Sequence, residues 1–559
     1  MTLARLVLRS LWHYRRTAVV VVVGLAIATA VIVGSLVIGD SIRGSIRQTA
    51  LARLGAIFDA ITAPRPFRAE LAGDAQLHGA TATLLRMDAS ARPEIGEAVV
   101  ADVSAIGVDE AFFRLYPGTD VPALSSRGAI INEALATDAG VAAGDVLFVT
   151  VARPGEAAAD TLFARRERDE TLTTLRLKVQ EVLPDLGPGG FRLDASTAMP
   201  RNVFVNREWL ARQIGQEGRA NTIVLAPKPD PERGYLTPER LRRTDARGPL
   251  PTDHQRQKVK SAMRVADYGL YLREHDGWLS VFSDAAVLSH AQVKAAEAVA
   301  GSDARPTSVY LADRIAPADD PSRALAYAVV TDAYDPPLQD DQLILNAWAA
   351  DDLGAQIGER FTVTWRVSTP AGYEDRSAEL ALTSISEMQG LGADPGLVPD
   401  FEGITDAMHI GDWDPPFPVD LSLVTDRDDQ YWERYRAAPK AFVSSDLLRR
   451  MWQGENADAP WITSVRAPAQ GRLPADFERA LLTELAPEDA GFAFMPVREQ
   501  ALAASQGTSD FGQLFLSMSF FLVLSGAGLA GMLMRLSAER RASQAGIMMA
   551  TGFSPAQLS

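Results

Sequence analysis

One stretch of this chain occurs twice, and that repetition constrains the fold more than any other feature. Residues 129–151, AIINEALATDAGVAAGDVLFVTV, align without a gap on residues 343–365, LILNAWAADDLGAQIGERFTVTW, at a constant offset of 214. Asn132 falls on Asn346, Ala136 on Ala350, Gly140 on Gly354 and Gly144 on Gly358. Each copy reads as a strand, a short helix and a glycine turn into an alternating strand. Another apolar strand pattern follows in both, LRLKVQEVL at 175–183 and ELALTSISEM at 379–388. Further on, NVFVNREWLARQI at 202–214 resembles KAFVSSDLLRRMW at 440–452, and DYGLYL at 267–272 echoes DAGFAF at 489–494. Because the units keep their order in both halves, a duplication explains them better than chance. Strands alternating with single helices predict α+β units.

Two uncharged runs of 23 residues bracket the repeats, 17–39 and 512–534. At 1.5 Å per residue each makes a helix of about 35 Å, enough for a hydrocarbon core of about 30 Å. We therefore expect two transmembrane helices. Arg5, Arg9, Arg15 and Arg16 precede the first run, while Arg535, Arg540 and Arg541 follow the second. Basic flanks of this kind mark both ends as cytoplasmic and the middle as extracytoplasmic. Leu3, Leu6, Val7, Leu11 and Tyr14 lie at helical spacing among the first arginines, as in a helix lying along a lipid interface. Ala26, Ala30 and Gly34 form a small-residue face, and Gly526, Gly528 and Gly531 form another, each suited to close helix packing. The text G-A-G-L-A-G at 526–531 lacks the preceding strand that a dinucleotide fingerprint requires.

The expected domains are an interfacial helix at 1–16, a first span at 17–39, a first extracytoplasmic copy at 40–304 and a second at 305–511. A second span at 512–534 and a cytoplasmic segment at 535–559 complete them. Residues 227–262 and 389–420 break the strand pattern with proline, glycine and charge, and read as long loops.

Composition narrows the chemistry. The formal charge is −16, with the basic residues held at the ends and the acidic excess in the middle. An acidic middle argues against nucleic acid as a partner, since phosphate binding needs a basic face. No cysteine is present, which excludes disulfides, thiolate catalysis and cysteine-bound zinc. No G-x-x-x-x-G-K-[ST] occurs, so no P-loop binds ATP here. The six histidines, His13, His78, His254, His275, His290 and His409, show no metal spacing. We expect no enzyme activity, no cofactor and no metal. DDQYWERYR at 428–436 and WDPPF at 413–417 look like a recognition surface. The better account is a helix packing Tyr431, Trp432 and Tyr435 inward with its charges in water.

After the second run comes E-R-R-x-x-Q-x-G-x-x-x-A-x-G: Glu539, Arg540, Arg541, Gln544, Gly546, Ala550 and Gly552, then Phe553 and Ser554. This order resembles the coupling segment of FtsX-like (MacB-type) ABC transporter permeases. The motif of strand, helix, L-G-x-x-x-G-D and strand resembles their periplasmic domain. Gln544 stands where that family usually has glutamate, and Ala545 where it has a large aliphatic. The resemblance implies a permease subunit, here its front part, at the bacterial cell (inner) membrane, with two tandem MacB-like mixed α/β domains outside. It implies a separate cytoplasmic ABC ATPase that docks on Arg540, Arg541, Gln544, Gly546, Ala550, Gly552 and Phe553, and mechanotransmission of that motion outward. The partners it implies are the ATPase, membrane lipid and a homodimer or paired permease. Export of an amphiphile or lipoprotein, or regulation of the envelope, follows as the task. A rival reading is a membrane-anchored envelope scaffold with no ATPase.

Overall fold

A computed structural model describes residues 9, 12–77, 79–152, 172–194, 196, 198–227, 252–369, 372–401, 403–414, 419–454, 456–505, 511–552 and 554. The chain divides into two units: residues 1–55, 192–197 and 497–559 form one, and residues 56–191 and 198–496 the other.

The larger unit is mixed α/β and is written twice. Its strands are β1 (Asp59–Arg68), β2 (Ala80–Pro93), β3 (Val100–Val108), β4 (Gly128–Asn132), β5 (Val146–Ala152), β6 (Leu172–Leu183), β7 (Arg201–Asn206), β8 (Arg219–Ala226) and β9 (Leu270–His275). The pattern then starts over with β10 (Trp278–Ser283), β11 (Arg305–Thr307), β12 (Val309–Pro317), β13 (Leu325–Thr331) and β14 (Gln342–Asn346). It ends with β15 (Arg360–Thr369), β16 (Gly372–Ser386), β17 (Ala441–Phe442), β18 (Ser464–Pro468) and β19 (Ala493–Met495). The order β2-β3-β7-β4-β6-β5 closes on itself through β5 and β2. The order β12-β13-β17-β14-β16-β15 closes in the same way. Two barrels of identical topology result. In both, the β4–β6 or β14–β16 pair is parallel and slips register at the matching step, Ala129/Ile130 and Leu343/Ile344.

Local chemistry explains why the aligned residues fold alike. The helices after β4 and β14 are α1 (Glu133–Ala139) and α2 (Ala347–Leu353). Asn132 and Asn346, both fully buried, cap them by accepting from the Leu135 and Ala349 amides. Such a cap contributes about 1 kcal/mol. Gly140 and Gly354 end them at φ +66° and +57°, where a side chain would be strained. Gly144 and Gly358 then donate to Val179 and Leu382, each at 2.8 Å.

Each barrel carries a four-stranded extension, and here the copies are interlocked. One extension reads β19-β1-β8-β2, the other β9-β10-β18-β11. The last strand of each half therefore pairs with the first strand of the other. Ile61 faces Phe494, and Val281 faces Leu272. The turn Asp276-Gly277, both at positive φ, joins β9 to β10 in the two-residue hairpin that Asp-Gly favours. One apolar cluster lies beneath both extensions, including Ile61, Phe67, Tyr268, Val281, Phe477 and Phe492. Burying a side chain of this size stabilises by about 1.5–3 kcal/mol. Three helices pack there, α3 (Thr252–Ala262), α4 (His290–Ala300) and α5 (Pro474–Glu484).

Three expectations change. Residues 252–262, read as loop, are helix α3 with Gln255 and Val259 buried; residues 228–251 lie outside the described residues. Much of 389–420 is a series of short turns that bury Leu397, Val398, Ile404, Ile410 and Trp413 against the second barrel. Its apolar residues supply a core that its glycine and proline content hides.

The third concerns the α+β fold class with two flanking transmembrane helices. Among the described residues no helix is long and apolar enough to cross a membrane, so the spans at 17–39 and 512–534 are not seen. Each uncharged stretch is the interior of a 40-residue helix, Arg15–Leu54 and Phe511–Ala550. The helices run on through Arg47 and Arg53 and through Arg535 and Glu539, because arginine and glutamate propagate a helix well. An uncharged run in the text thus does not mark the helix ends. Side chains at part of both stretches lie outside the described residues, as does most of 1–16. Within the smaller unit the two long helices lie alongside one another, and Arg498 of the helix Val497–Ser505 donates to the Gly55 carbonyl at 3.0 Å. Burial, with the charge of Arg47, pushes the Arg498 guanidinium down to about 10.

Candidate functional site

The expected coupling residues fall on the last turns of the Phe511–Ala550 helix. Gln544, Gly546, Ala550 and Gly552 are exposed. A side chain at Gly546 or Gly552 would meet nothing within 4 Å. Ile547 and Met549 are exposed beside them, so the helix end presents a small apolar surface. Gly552, at φ +98°, stops the helix, and Thr551 folds its hydroxyl back onto the Ile547 and Met548 carbonyls. Arg535 pairs with Glu539 at 3.0 Å, one turn apart. Phe553 and the side chains of Arg540 and Arg541 lie outside the described residues.

The small-residue faces fall elsewhere on the long helices. Ala26 and Ala30 are exposed and Gly34 is half-buried. Added side chains at Gly34, Gly528 and Gly531 would meet nothing within 4 Å; the surroundings of Gly526 lie outside the described residues. The close approach comes at Gly24, where a Cβ would stand 4.0 Å from Leu529 Cδ2. Sequence reading did not single out Gly24, although Ala28 stands four positions on.

The aromatic stretch at 428–436 forms helix α6 (Asp426–Tyr435), whose aromatic face packs inward as expected, while the Asp428 charge is buried rather than in water. Tyr431 and Trp432 are buried. The Tyr431 hydroxyl donates to Ala438 and accepts from Asn346, and the Trp432 indole donates to Ala407 at 3.1 Å. Beside them Lys440 and Asp428 form a buried ion pair at 2.7 Å. Lys440 Nζ lies 4.9 Å from the centre of the Trp348 ring and 5.1 Å from that of Tyr431. Burial alone would raise the Asp428 carboxyl, but Lys440 and Thr425 hold it below its ordinary value. A small apolar cavity lies under this helix, lined by Tyr310, Phe401, Ile404, Trp413 and Trp432 among others. It has room for roughly one water.

On the outer side of α6, three side chains of metal-ligating type meet that sequence reading had left apart. His409 Nδ1 lies 3.2 Å from Asp429 Oδ2 and 3.5 Å from Glu433 Oε1. The signal was the D-x-x-x-E pair at 429 and 433, which a helix places on one face. The histidine lies 20 residues upstream, beyond any short motif.

No family model matches the chain, and no curated protein matches it. Solved structures do. The chain is similar to the periplasmic region of MacB from Actinobacillus actinomycetemcomitans, at 9% identity over 38% of this chain and 86% of that one, with a TM-score of 0.24. It is also similar to the extracellular domain of the noncanonic ABC-type transporter YknZ from Gram-positive bacteria, at 12% identity over 30% and 82%, with a TM-score of 0.20. The first neighbour is a periplasmic region and the second an extracellular domain of an ABC-type transporter.

Proposed function

We propose that this chain is a permease-type subunit of an ABC system of the FtsX/MacB type. A separate cytoplasmic ATPase docks on the end of the Phe511–Ala550 helix, and its ATP-driven movement is transmitted to the unit of residues 56–191 and 198–496. The observation that carries this reading is the exposed helix end itself. Gly546, Ala550 and Gly552 keep the order of the family's coupling segment, all three are exposed with Gln544, and added side chains at Gly546 and Gly552 would meet nothing within 4 Å. ATP hydrolysis belongs to the partner, in keeping with the absence of a P-loop sequence here. The two 40-residue helices, each about 60 Å long, supply stiff levers. The larger unit joins the unit that holds them in sequence after Gly55 and before Val497. We place the subunit at the bacterial cell membrane, with residues 56–496 on the outer face and an amphiphile, a lipoprotein or an envelope process as its target.

The test is purification of the native, full-length product in mild detergent, with mass spectrometry of everything retained. A stoichiometric P-loop ATPase, lost when Gly546 and Gly552 are replaced by bulky residues, is the expected result. Recovery without any ATPase, in several detergents and with nucleotide present, overturns the proposal.

A further inference from the structure

We infer that His409, Asp429 and Glu433 form a binding site for one divalent zinc ion, and that the ion staples the 405–410 loop to helix α6.

Geometry is the first argument. Zinc bonds of 2.0–2.2 Å in a tetrahedron hold neighbouring ligand atoms about 3.3–3.6 Å apart. The distances from His409 Nδ1 to Asp429 Oδ2 and Glu433 Oε1, 3.2 and 3.5 Å, already match that edge length. All three donor atoms lie within 4.8 Å of one another. The Glu433 side chain is about half exposed, with 55% of its surface in water, so a small rotation can close the third edge.

One hydrogen bond, between His409 Nδ1 and Asp429 Oδ2 at 3.2 Å, accounts for only part of the same arrangement. An imidazole nitrogen offers one in-plane direction, used by either one proton or one lone pair. Two carboxylate oxygens converge on the single Nδ1, and one proton serves only one of them well. A cation placed among the three uses the nitrogen lone pair and both oxygens together.

The donors are held in place before any ion arrives. The other oxygen of Asp429, Oδ1, accepts from the Ile410 amide at 3.0 Å, which fixes the carboxylate to the residue beside His409. Arg436 donates to the Thr405 and Ala407 carbonyls at 3.1 and 2.9 Å, and Trp432 donates to Ala407. Thr425 and Asp428 cap the start of the helix reciprocally. Asp429 and Glu433, one turn apart, therefore face a loop already fastened to their own helix. Second-shell fixing of this kind usually carries about 10–100-fold in metal affinity.

Donor chemistry selects the ion. One imidazole and two carboxylates neutralise a dication and suit zinc. Magnesium and calcium want six or more oxygens, and only two carboxylates are present in this cluster, one of them with its second oxygen held by the Ile410 amide. The fourth tetrahedral position faces solvent, since half the His409 side chain is exposed, and a water fills it. The cavity lined by Trp432, Trp413, Ile404 and Phe401 lies beneath the stapled elements. Binding therefore ties down the cover of that cavity.

The test uses the full chain, stripped with a chelator, and Zn²⁺ alone as the probe. Calorimetric titration and metal analysis after desalting should give one equivalent, with a rise in the unfolding midpoint. Co²⁺ should show the intense visible bands of a tetrahedral site. His409→Ala and Glu433→Gln should each weaken binding by more than about tenfold, while their metal-free unfolding curves stay within error of the parent. Binding of no zinc at equilibrium, or an H409A variant that retains the parent's affinity, overturns the inference and leaves a histidine ion-paired with two carboxylates.

Discussion

Arg466 and Asp394 supply the sharpest stability prediction. Arg466 stands on β18 and donates to Asp394 Oδ2 at 2.7 Å, with both side chains more than nine-tenths buried. The guanidinium stacks 5.1 Å above the centre of the Trp278 ring, and Asp394 Oδ1 also caps the Gly396 amide at 2.8 Å. His275 of β9, the strand that the first half places beside β10, lies 3.4 Å away. At about 4 Å between charge centres and an effective dielectric near 20, the pair gains about 4 kcal/mol. Removing one partner strands the other charge, so Arg466→Met should cost about 3–5 kcal/mol. Arg466→Met with Asp394→Leu should cost far less than the sum of the singles, because no buried charge remains. Urea unfolding followed by tryptophan fluorescence reads this directly, since Trp278 sits against the pair. A cost below about 1 kcal/mol for R466M, or strict additivity in the double-mutant cycle, refutes the reasoning.

Other outcomes are expected. Asp332 lies just past β13, and burial pushes its carboxyl up from 3.8 to about 6 despite the hydrogen bond from the Ser308 amide. A carboxyl raised in the native state favours folding below pH 4 and loses that contribution as pH climbs through 6. Asp332→Asn should therefore stabilise by roughly 1–3 kcal/mol at pH 7.5 and by about 0.5 kcal/mol at pH 4, at 1.36 kcal/mol per pH unit. A variant no more stable at pH 7.5 than at pH 4, relative to the parent, rules this out. Gly189 and Gly392 occupy matching turns, and a methyl there would run into the Pro184 and Glu387 carbonyl oxygens respectively. Gly189→Ala and Gly392→Ala should each destabilise by about 1–3 kcal/mol, seen as lower urea midpoints. Lys440→Met should be costly, at about 3–5 kcal/mol, because it leaves Asp428 buried without its cation; restoring the parent stability with Asp428→Asn in the same chain checks the cause.

Much of the repeat was legible because its chemistry is local. Asn132 and Asn346 cap helices within three residues, and Gly140, Gly144, Gly354 and Gly358 sit where the backbone turns left-handed. DYGLYL and DAGFAF were recognised as echoes, and they form the tight turns and strands that end each half. Their exchanged partners were not legible, since β19 pairs with β1 across more than 400 residues and no periodicity records which edge a strand will choose. The 389–420 stretch misled for a related reason. Its Leu397, Ile404 and Trp413 are spaced by turns rather than by a strand or helix period. The long helices were visible as uncharged runs, yet their extent was not, because arginine, glutamate and alanine beyond each run continue the helix. His409 meets Asp429 and Glu433 only through the fold.

The measurement that tests the central claim most directly is photo-crosslinking in living cells from a reactive residue placed at Gln544. The account predicts a crosslink from Gln544 to a P-loop ATPase, dependent on nucleotide state. The same probe at Ile95, on the other unit and 91% exposed, should give none. Crosslinks at Gln544 that never include an ATPase, in cells where the protein is at its native level, would contradict it.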